Sequence, residues 1–469
     1  MTFNSIPFVF FFLIVTTAFF VTPHRYRWGL LSVASCYFYM YWNPWLIFMI
    51  LFTVSIDFFT CLGMNESTTP MLRRAKLVLS LGANLGILAV FKYSNFFIQT
   101  VNDVGAMAHH PFGLALPNLI LPIGISFHTF QAMSYTIDVF RGKIPVERHY
   151  GHYLLYVLFY PQLVSGPIER ASHFLPQLNQ VQEFEYRRVL QGFELMLWGF
   201  FKKCAIADTL ADYVNPVYGD PQLHHGFPLL LGTYFFAFQI YCDFSGYTDI
   251  AIGAARVMGF DLRLNFNRPY IASSLAEFWH RWHISLSTWF RDYLYIPLGG
   301  NRVSTLRWSF NIMAVFMLSG LWHGASWTYV IWGAIHGGYQ LVERAFKKVR
   351  GEVAEASPWR RALGIGVTFN VVCLAWIFFR APSLSTAWYI VTHVGLTSKT
   401  APVSGAQCNL MLAFIALLLF FESRMGDRTV YAWLATLRPW MRWAWASMLL
   451  TIIVLQAPDR PTTFIYFQF

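Results

Sequence analysis

The chain has 469 residues, of which 56% are hydrophobic, 19% aromatic and only 12% charged, with a formal net charge of +11. Soluble globular chains average about 25% charged residues, and no soluble interior could hide the apolar runs of roughly 15–25 residues that recur here. The composition excludes a soluble enzyme. Because the runs are continuous and do not alternate with period two, it also argues against a β-barrel, and it predicts an all-α polytopic membrane protein. The basic excess fits loops that hold the cytoplasmic face of a bilayer, so lipid is the expected partner and nucleic acid is not.

Residues 6–22 are apolar, with no basic segment before them and no small-residue cleavage site after them, and read as an uncleaved first span. Spans are expected next at 28–43, 44–63 and 77–98. The joints HRYR (24–27) and RRAK (73–76) are basic, whereas Asn43–Pro44 and the loop 99–117 carry no Lys or Arg. That alternation places the N-terminus outside and the basic joints in the cytoplasm. A span over 118–140 carries Pro122, Gly124 and His128 and leads to a basic joint at 141–149. Residues 152–168, with FYPQLVSGPIER, read as a broken or re-entrant segment, which is tolerated at membrane depth only inside protein or beside water. Helices follow at 186–206, ending in Lys202–Lys203, and at 228–258.

The stretch 278–302, FWHRWHISLSTWFRDYLYIPLGGNR, is the most polar part of an otherwise apolar chain. Read as one helix over 276–292, it puts His280, His283, Ser287 and Arg291 on one stripe. Glu277, Arg281, Ser285, Thr288 and Asp292 fall on a second stripe beside it, with Trp279, Trp282 and Leu286 on the apolar remainder. So broad a polar face must line a cavity or pack on polar partners. Glu277 and Arg281, at i,i+4, can neutralise each other. Pro297, Gly299 and Gly300 end the element.

Spans are then expected at 309–322 and 325–342, separated by His323–Gly324, and at 362–380, 408–421 and 443–457. The basic segment 344–361 and the joint 422–442 belong in the cytoplasm, which leaves the C-terminal tail 458–469 outside. The total is about 11 or more spans in a single domain over 1–469.

Charged and titratable groups at membrane depth are candidates for function. Each also has a structural reading, in which a buried pair only holds helices together. His323 sits between Trp322 and Gly324 in MLSGLWHGASWTYVIWGAIHGG, where Gly320 and Gly324 allow close approach of a chain or ligand. A histidine can move a proton near neutral pH, whereas His336 reads as a packing residue. Asp243 and Asp249, six apart, lie on different faces of a helix and do not form an acid/base pair. They are expected to hold arginines of the other motifs or to cap a broken helix. The six cysteines show no CxxC pair and read as small buried hydrophobes. His109–His110 and His224–His225 have the wrong spacing for two ligands on one helix face, so no metal is expected.

The run YCDFSGYTDIAIG, NFNRPY, FWHRWHISLSTWFRDYLYIPLGGNR and LSGLWHGASWTYVIWG resembles the membrane-bound O-acyltransferase family, with the strongest likeness over 239–338. Within that family the chain is similar to the bacterial branch that acetylates exported polysaccharides of the alginate or cellulose type. The resemblance implies a ring of helices around a tunnel, an essential histidine at His323 and a second polar position at His283. One departure stands at 280, where the family pattern has arginine and this chain has His280. The tail PTTFIYFQF is similar to the terminal motif of related cell-envelope acyl-transfer systems, which implies that Tyr466 carries the acyl group briefly. An interfacial aromatic anchor is the plain alternative for that tail.

The expectation that follows is an acetyltransferase of the bacterial inner membrane with both termini periplasmic. It would use acetyl-CoA and pass the group to a periplasmic SGNH-type partner beside a polysaccharide synthase and secretion complex. His323, His283 and Tyr466 would be catalytic. Trp282, Trp322, Arg281, Ser287 and Arg291 would line the substrate path, with Asp243, Asp249, Glu277 and His280 supporting them. The rival readings are a transporter or flippase of an acyl carrier or polymer, and a lipid or protein acyltransferase of the same family.

Overall fold

A computed structural model describes residues 1–110, 112–117, 119, 121–163, 166–350, 357–396, 401–456 and 464–465, excluding the side chains of 349 and 350. Among the described residues the regular structure is entirely helical. Among the described residues five helices are long and apolar enough to cross a membrane: Leu46–Glu66, the continuous run Pro70–Met107, Phe227–Val257, Pro358–Arg380 and Gly405–Met425. Ile6–Val21 is apolar but has 16 residues, about 24 Å of helix against a hydrocarbon core of about 30 Å. The chain is a multi-pass membrane protein whose helices vary widely in length.

Contacts divide the chain into two compact units, Met1–Phe193 with Ala251–Arg263, and Glu194–Ile250 with Leu264–Phe469. In the first unit, Ser5 caps Ile6–Val21 by accepting the amide hydrogen of Phe8, and Thr69 caps Pro70–Leu88 in the same way through Leu72. Phe3, Phe8 and Phe38 pack ring against ring beneath the first helix. The basic joints read from the sequence are helical: residues 24–27 open His24–Met40, and 73–76 lie in the first turns of Pro70–Leu88. The expected 118–140 span becomes a shorter helix, Ile125–Phe140, started by Gly124 at φ 74°. The broken segment forms as expected. Tyr150–Leu158 ends at Phe159, Tyr160–Leu163 adds one turn, and residues 166–170, which are not helical, lead through Glu169 into Ala171–Leu178.

Just outside that segment, the buried carboxylate of Glu169 lies 2.9 Å from His173 Nδ1, and Asp261 lies 3.6 Å from His173 Nε2. Hydrogen bonds to Asp261 and Glu169 raise the His173 imidazolium to about 9, and the same contact draws Asp261 below its usual range.

The second unit is organised along residues 227–250, which belong to the 31-residue helix Phe227–Val257. Gly246 on it faces Gly199 of Tyr186–Phe200 so closely that a Cβ on either would lie 2.6–2.7 Å from the other's carbonyl oxygen. The helix that carries Gly199 then widens into a π turn over Phe201–Ala207. Lys202 and Lys203 sit in that turn, and both are buried.

The chain over 276–292 is not one helix. Leu275–Arg281 and Ile284–Phe290 are separate seven-residue helices, and Arg291–Tyr295 is a further π turn. The break falls at Trp282–His283, where His283 adopts φ 43°. The stripes predicted for a single helix therefore do not form. The reason is tertiary, because the preceding loop takes over the backbone hydrogen bonds. Asn267 N–H donates to Arg281 C=O, and Ile284 N–H to Asn265 C=O, both at 2.9 Å. By contrast, the break at His323–Gly324 forms as read, between Thr305–His323 and Trp327–Arg350. The described residues also contain short helices that the sequence does not announce, Ala171–Leu178, Asp208–Gly219, Leu384–His393 and Val430–Leu434.

Candidate functional site

All described parts of the site belong to the second unit. His283 and His323 come together across the two breaks, with ring centroids 6.2 Å apart and both residues buried. Trp322 packs against both, at 5.9 Å from His283 and 4.9 Å from His323. His323 is further enclosed by Trp332 at 5.1 Å and Phe379 at 5.4 Å.

Glycines make this geometry possible on the His323 side. A Cβ on Gly320 would stand 2.1 Å from the Tyr329 carbonyl oxygen, and one on Gly324 would stand 2.1 Å from the Tyr329 ring. No side chain fits there, so the two helices close tightly around His323.

On the other side, His283 is held in a backbone region that non-glycine residues seldom occupy. Asn265 fixes it. The Asn265 Oδ1 accepts from the Ser285 amide at 3.2 Å and from the Ser285 hydroxyl at 2.9 Å. Sequence reading quoted NFNRPY as a run but gave Asn265 no task. No local signal marks Asn265, because the Ser285 amide it meets lies twenty residues further along the chain.

The expected substrate-lining residues separate. Ser287 and Arg291, with His280 and Thr288, line a cavity of about 230 Å³ whose wall continues through Phe316 and Gln340. The polar face of 284–291 thus does border a cavity. His283 and His323 are not part of its wall. Arg291 is exposed and pairs with Asp292 at 2.8 Å, and the Ser287 hydroxyl donates to Trp282 C=O at 3.2 Å. Trp282 is enclosed by Phe266, Trp376, Phe278, Tyr270 and Tyr241, with ring centroids 5.0–6.2 Å away. It is a packing centre from which the chain turns to His283. Arg281 pairs with Glu277 at 2.9 Å, as the spacing predicted, and donates to Asn267 C=O at 3.2 Å. The exposed His280 has its Nδ1 2.7 Å from Ala276 C=O. His336 is a packing residue, with Trp332 and Trp279 rings at 4.9 and 5.1 Å.

Among the described residues Asp243 and Asp249 are held by lysines and not by arginines, which corrects the sequence reading. Lys203 lies 2.6 Å from Asp243 and 2.8 Å from Asp208, and Lys202 lies 2.6 Å from Asp249. Two lysines at the end of an apolar helix look alike in sequence whether they face water or carboxylates. The Gly199–Gly246 contact and the π turn decide the matter by bringing the ammonium groups under the neighbouring helix. Glu422, at the end of an apolar run, was also passed over. It is buried and accepts the Tyr241 hydroxyl's hydrogen bond.

Tyr466 lies outside the described residues, but its two predecessors do not. Ile465 N–H donates to Asp243 Oδ2 at 2.7 Å, and Phe464 stacks on Tyr247 at 4.5 Å with 27° between ring planes. Phe464 also meets Phe244 at 5.9 Å, and Phe244 stands edge-on to His283 at 4.8 Å. A chain of ring contacts therefore leads from the C-terminal tail to the histidine pair.

The site can offer imidazole nitrogens to a reacting hydroxyl in an aromatic surround that keeps water out. Comparison with known proteins gives the reaction class. The chain is 40% identical over 400 residues to the probable alginate O-acetylase AlgI of Pseudomonas aeruginosa, covering 83% of this chain and 74% of the relative. It is 34% identical over 383 residues to the peptidoglycan O-acetyltransferase of Helicobacter pylori, covering 76% and 71%. It is 28% identical over 345 residues to the teichoic acid D-alanyltransferase of Streptococcus thermophilus, covering 65% and 81%. The family model for membrane-bound O-acyltransferases matches residues 147–383, a span that holds the broken segment, the lysine–aspartate pairs and both histidines. The chain belongs to the membrane-bound O-acyltransferase family and is an O-acyltransferase.

Proposed function

We propose that this protein takes an acetyl group from cytoplasmic acetyl-CoA and delivers it, through the C-terminal tail, for O-acetylation of an extracellular polysaccharide. The observation that carries the reading is the buried seat of Phe464 and Ile465, two ring contacts from His283 by way of Phe244. Relatives named for alginate and peptidoglycan O-acetylation support a polysaccharide as the final acceptor.

In the first step the Tyr466 phenol attacks the thioester carbonyl. His323 takes the phenolic proton as the oxygen–carbon bond forms, because a phenol is a weak nucleophile until deprotonated. The carbon–sulfur bond then breaks, and the departing coenzyme A thiolate receives the proton back from His323. The product is an acetyl-tyrosine ester. His283 orients the reacting group or relays the proton, and the Trp322 ring beside both histidines shields the ester from hydrolysis. In the second step a hydroxyl of an SGNH-type periplasmic partner takes the acetyl group and regenerates the phenol. The partner then passes the acetyl group to the polymer beside the synthase and secretion complex. This scheme sets the protein in the inner membrane with its tail outside.

The test is His323→Ala in a strain that makes the polymer. Acetylation is expected to vanish while the protein stays in the membrane, and normal acetylation would end the scheme. Mass spectrometry of the C-terminal peptide, from cells lacking the partner, should show an added acetyl group on Tyr466. An active Tyr466→Phe variant without any adduct would remove the tyrosine step.

A further inference from the structure

The buried charges on Phe227–Val257 have a task that the acyl-transfer scheme leaves open. Asp243, Phe244 and Tyr247 lie at i, i+1 and i+4 on this helix. Asp243 sits 16 residues from its first residue, about 24 Å along the axis, near mid-length. The end of the chain reaches that depth: Phe464 and Ile465 are 1% and 7% exposed. Two carboxylates, Asp243 and Asp208, share the single ammonium of Lys203. The Ile465 amide brings a further donor to this group, at 2.7 Å from Asp243 Oδ2.

We propose that Asp243, set in place by Lys203 and flanked by Tyr247, is a receptor for the backbone of the C-terminal tail. It is a positioning residue that fixes the register of residue 465 and, through it, the residue that follows. The amide is read by charge and the Phe464 ring by stacking, so the clamp recognises an aromatic residue followed by any residue with a free N–H. Withdrawing the tail removes one hydrogen bond from a buried carboxylate and uncovers the Tyr247 face. The seated tail is therefore the resting state. Its use in acyl transfer rests on the reading given above, but the clamp itself does not.

The experiment is carboxypeptidase digestion of the full-length protein in detergent, without any acyl donor, followed by intact mass. In the wild-type protein, trimming should stop with Phe464 and Ile465 retained. In Asp243→Ala, trimming should run past Phe464 and proceed at least tenfold faster. Tyr247→Leu leaves the lysine–aspartate group intact and should also expose the tail, which guards against Asp243→Ala simply failing to fold. Thermal unfolding of each variant separates tail release from general loosening. Trimming of both variants at the wild-type rate and to the wild-type end point would overturn the clamp. Tyr466→Phe keeps both clamp contacts and should stay protected. If it is protected yet still supports polymer acetylation, the tyrosine carrier fails and the clamp stands.

Discussion

Asn265→Ala tests whether the break at His283 is what makes the site. The left-handed conformation of His283 costs about 1–3 kcal/mol for a non-glycine residue. It persists because the surrounding contacts outweigh that cost. Two of them are side-chain hydrogen bonds from Ser285 to Asn265, at 3.2 and 2.9 Å, each with a net contribution of about 0.5–1.5 kcal/mol. Removing both subtracts about 1–3 kcal/mol, comparable to the strain, and lets His283 leave its place against Trp322 and His323. A penalty of that size corresponds to roughly a 5- to 150-fold loss of correctly placed sites. Ser285→Ala removes only the hydroxyl bond and should cost about 2- to 13-fold. The assay is acetyl transfer by membranes with equal amounts of each protein, alongside thermal unfolding. Acetyl transfer by Asn265→Ala at the wild-type rate would refute the role assigned to this loop, as would a larger loss in Ser285→Ala than in Asn265→Ala.

Two further outcomes follow from the buried charges. Lys202→Met strands the carboxylate of Asp249, which now lies 2.6 Å from the ammonium, and should destabilise the protein by about 3–5 kcal/mol. The double variant with Asp249→Asn should recover more than half of the lost melting temperature, and a double variant as unstable as the single one would mean that the pair is not coupled. His173 sets a pH dependence. Its folded-state value of about 9 exceeds the ordinary histidine value of about 6.5. Its stabilisation is therefore complete below about 6.5 and fades as pH rises through about 9. Because Asp261 is largely exposed, solvent screening limits the effect to about 1 kcal/mol. Thermal unfolding from pH 6 to pH 10 should show this loss in the wild-type protein and not in His173→Gln. An identical pH profile in both would show that the contact does not form.

Much of this molecule is legible in its sequence. Long apolar runs announced membrane helices, two prolines and a glycine announced the broken segment, and i,i+4 spacing announced the Glu277–Arg281 pair. What could not be read was contact between distant segments. Periodicity made 276–292 a single helix because helical spacing is a local property, while the break depends on hydrogen bonds from residues 265–267. Lys202 and Lys203 read only as the end of a helix because nothing nearby in sequence reveals that Asp243 and Asp249 meet them. His280, His283, Ser287 and Arg291 shared a predicted stripe. In the fold the break sends His283 toward His323, while the other three border a separate cavity.

The close crossing at Gly199 and Gly246 also bears on how the protein is made. Lys202, Lys203, Asp243 and Asp249 would each cost about 2.5–3.5 kcal/mol to insert singly at the centre of a bilayer. Together, behind two facing glycines, they neutralise one another. Asp208 follows Lys203 closely, but Asp243 and Asp249 leave the ribosome some forty residues after Lys202 and Lys203, so the charge pairing is complete only once Phe227–Val257 has been made. The two helices are therefore a unit of insertion as well as of structure. Replacing either glycine with a bulky residue should show first as protein that fails to integrate, before any effect on turnover could be measured.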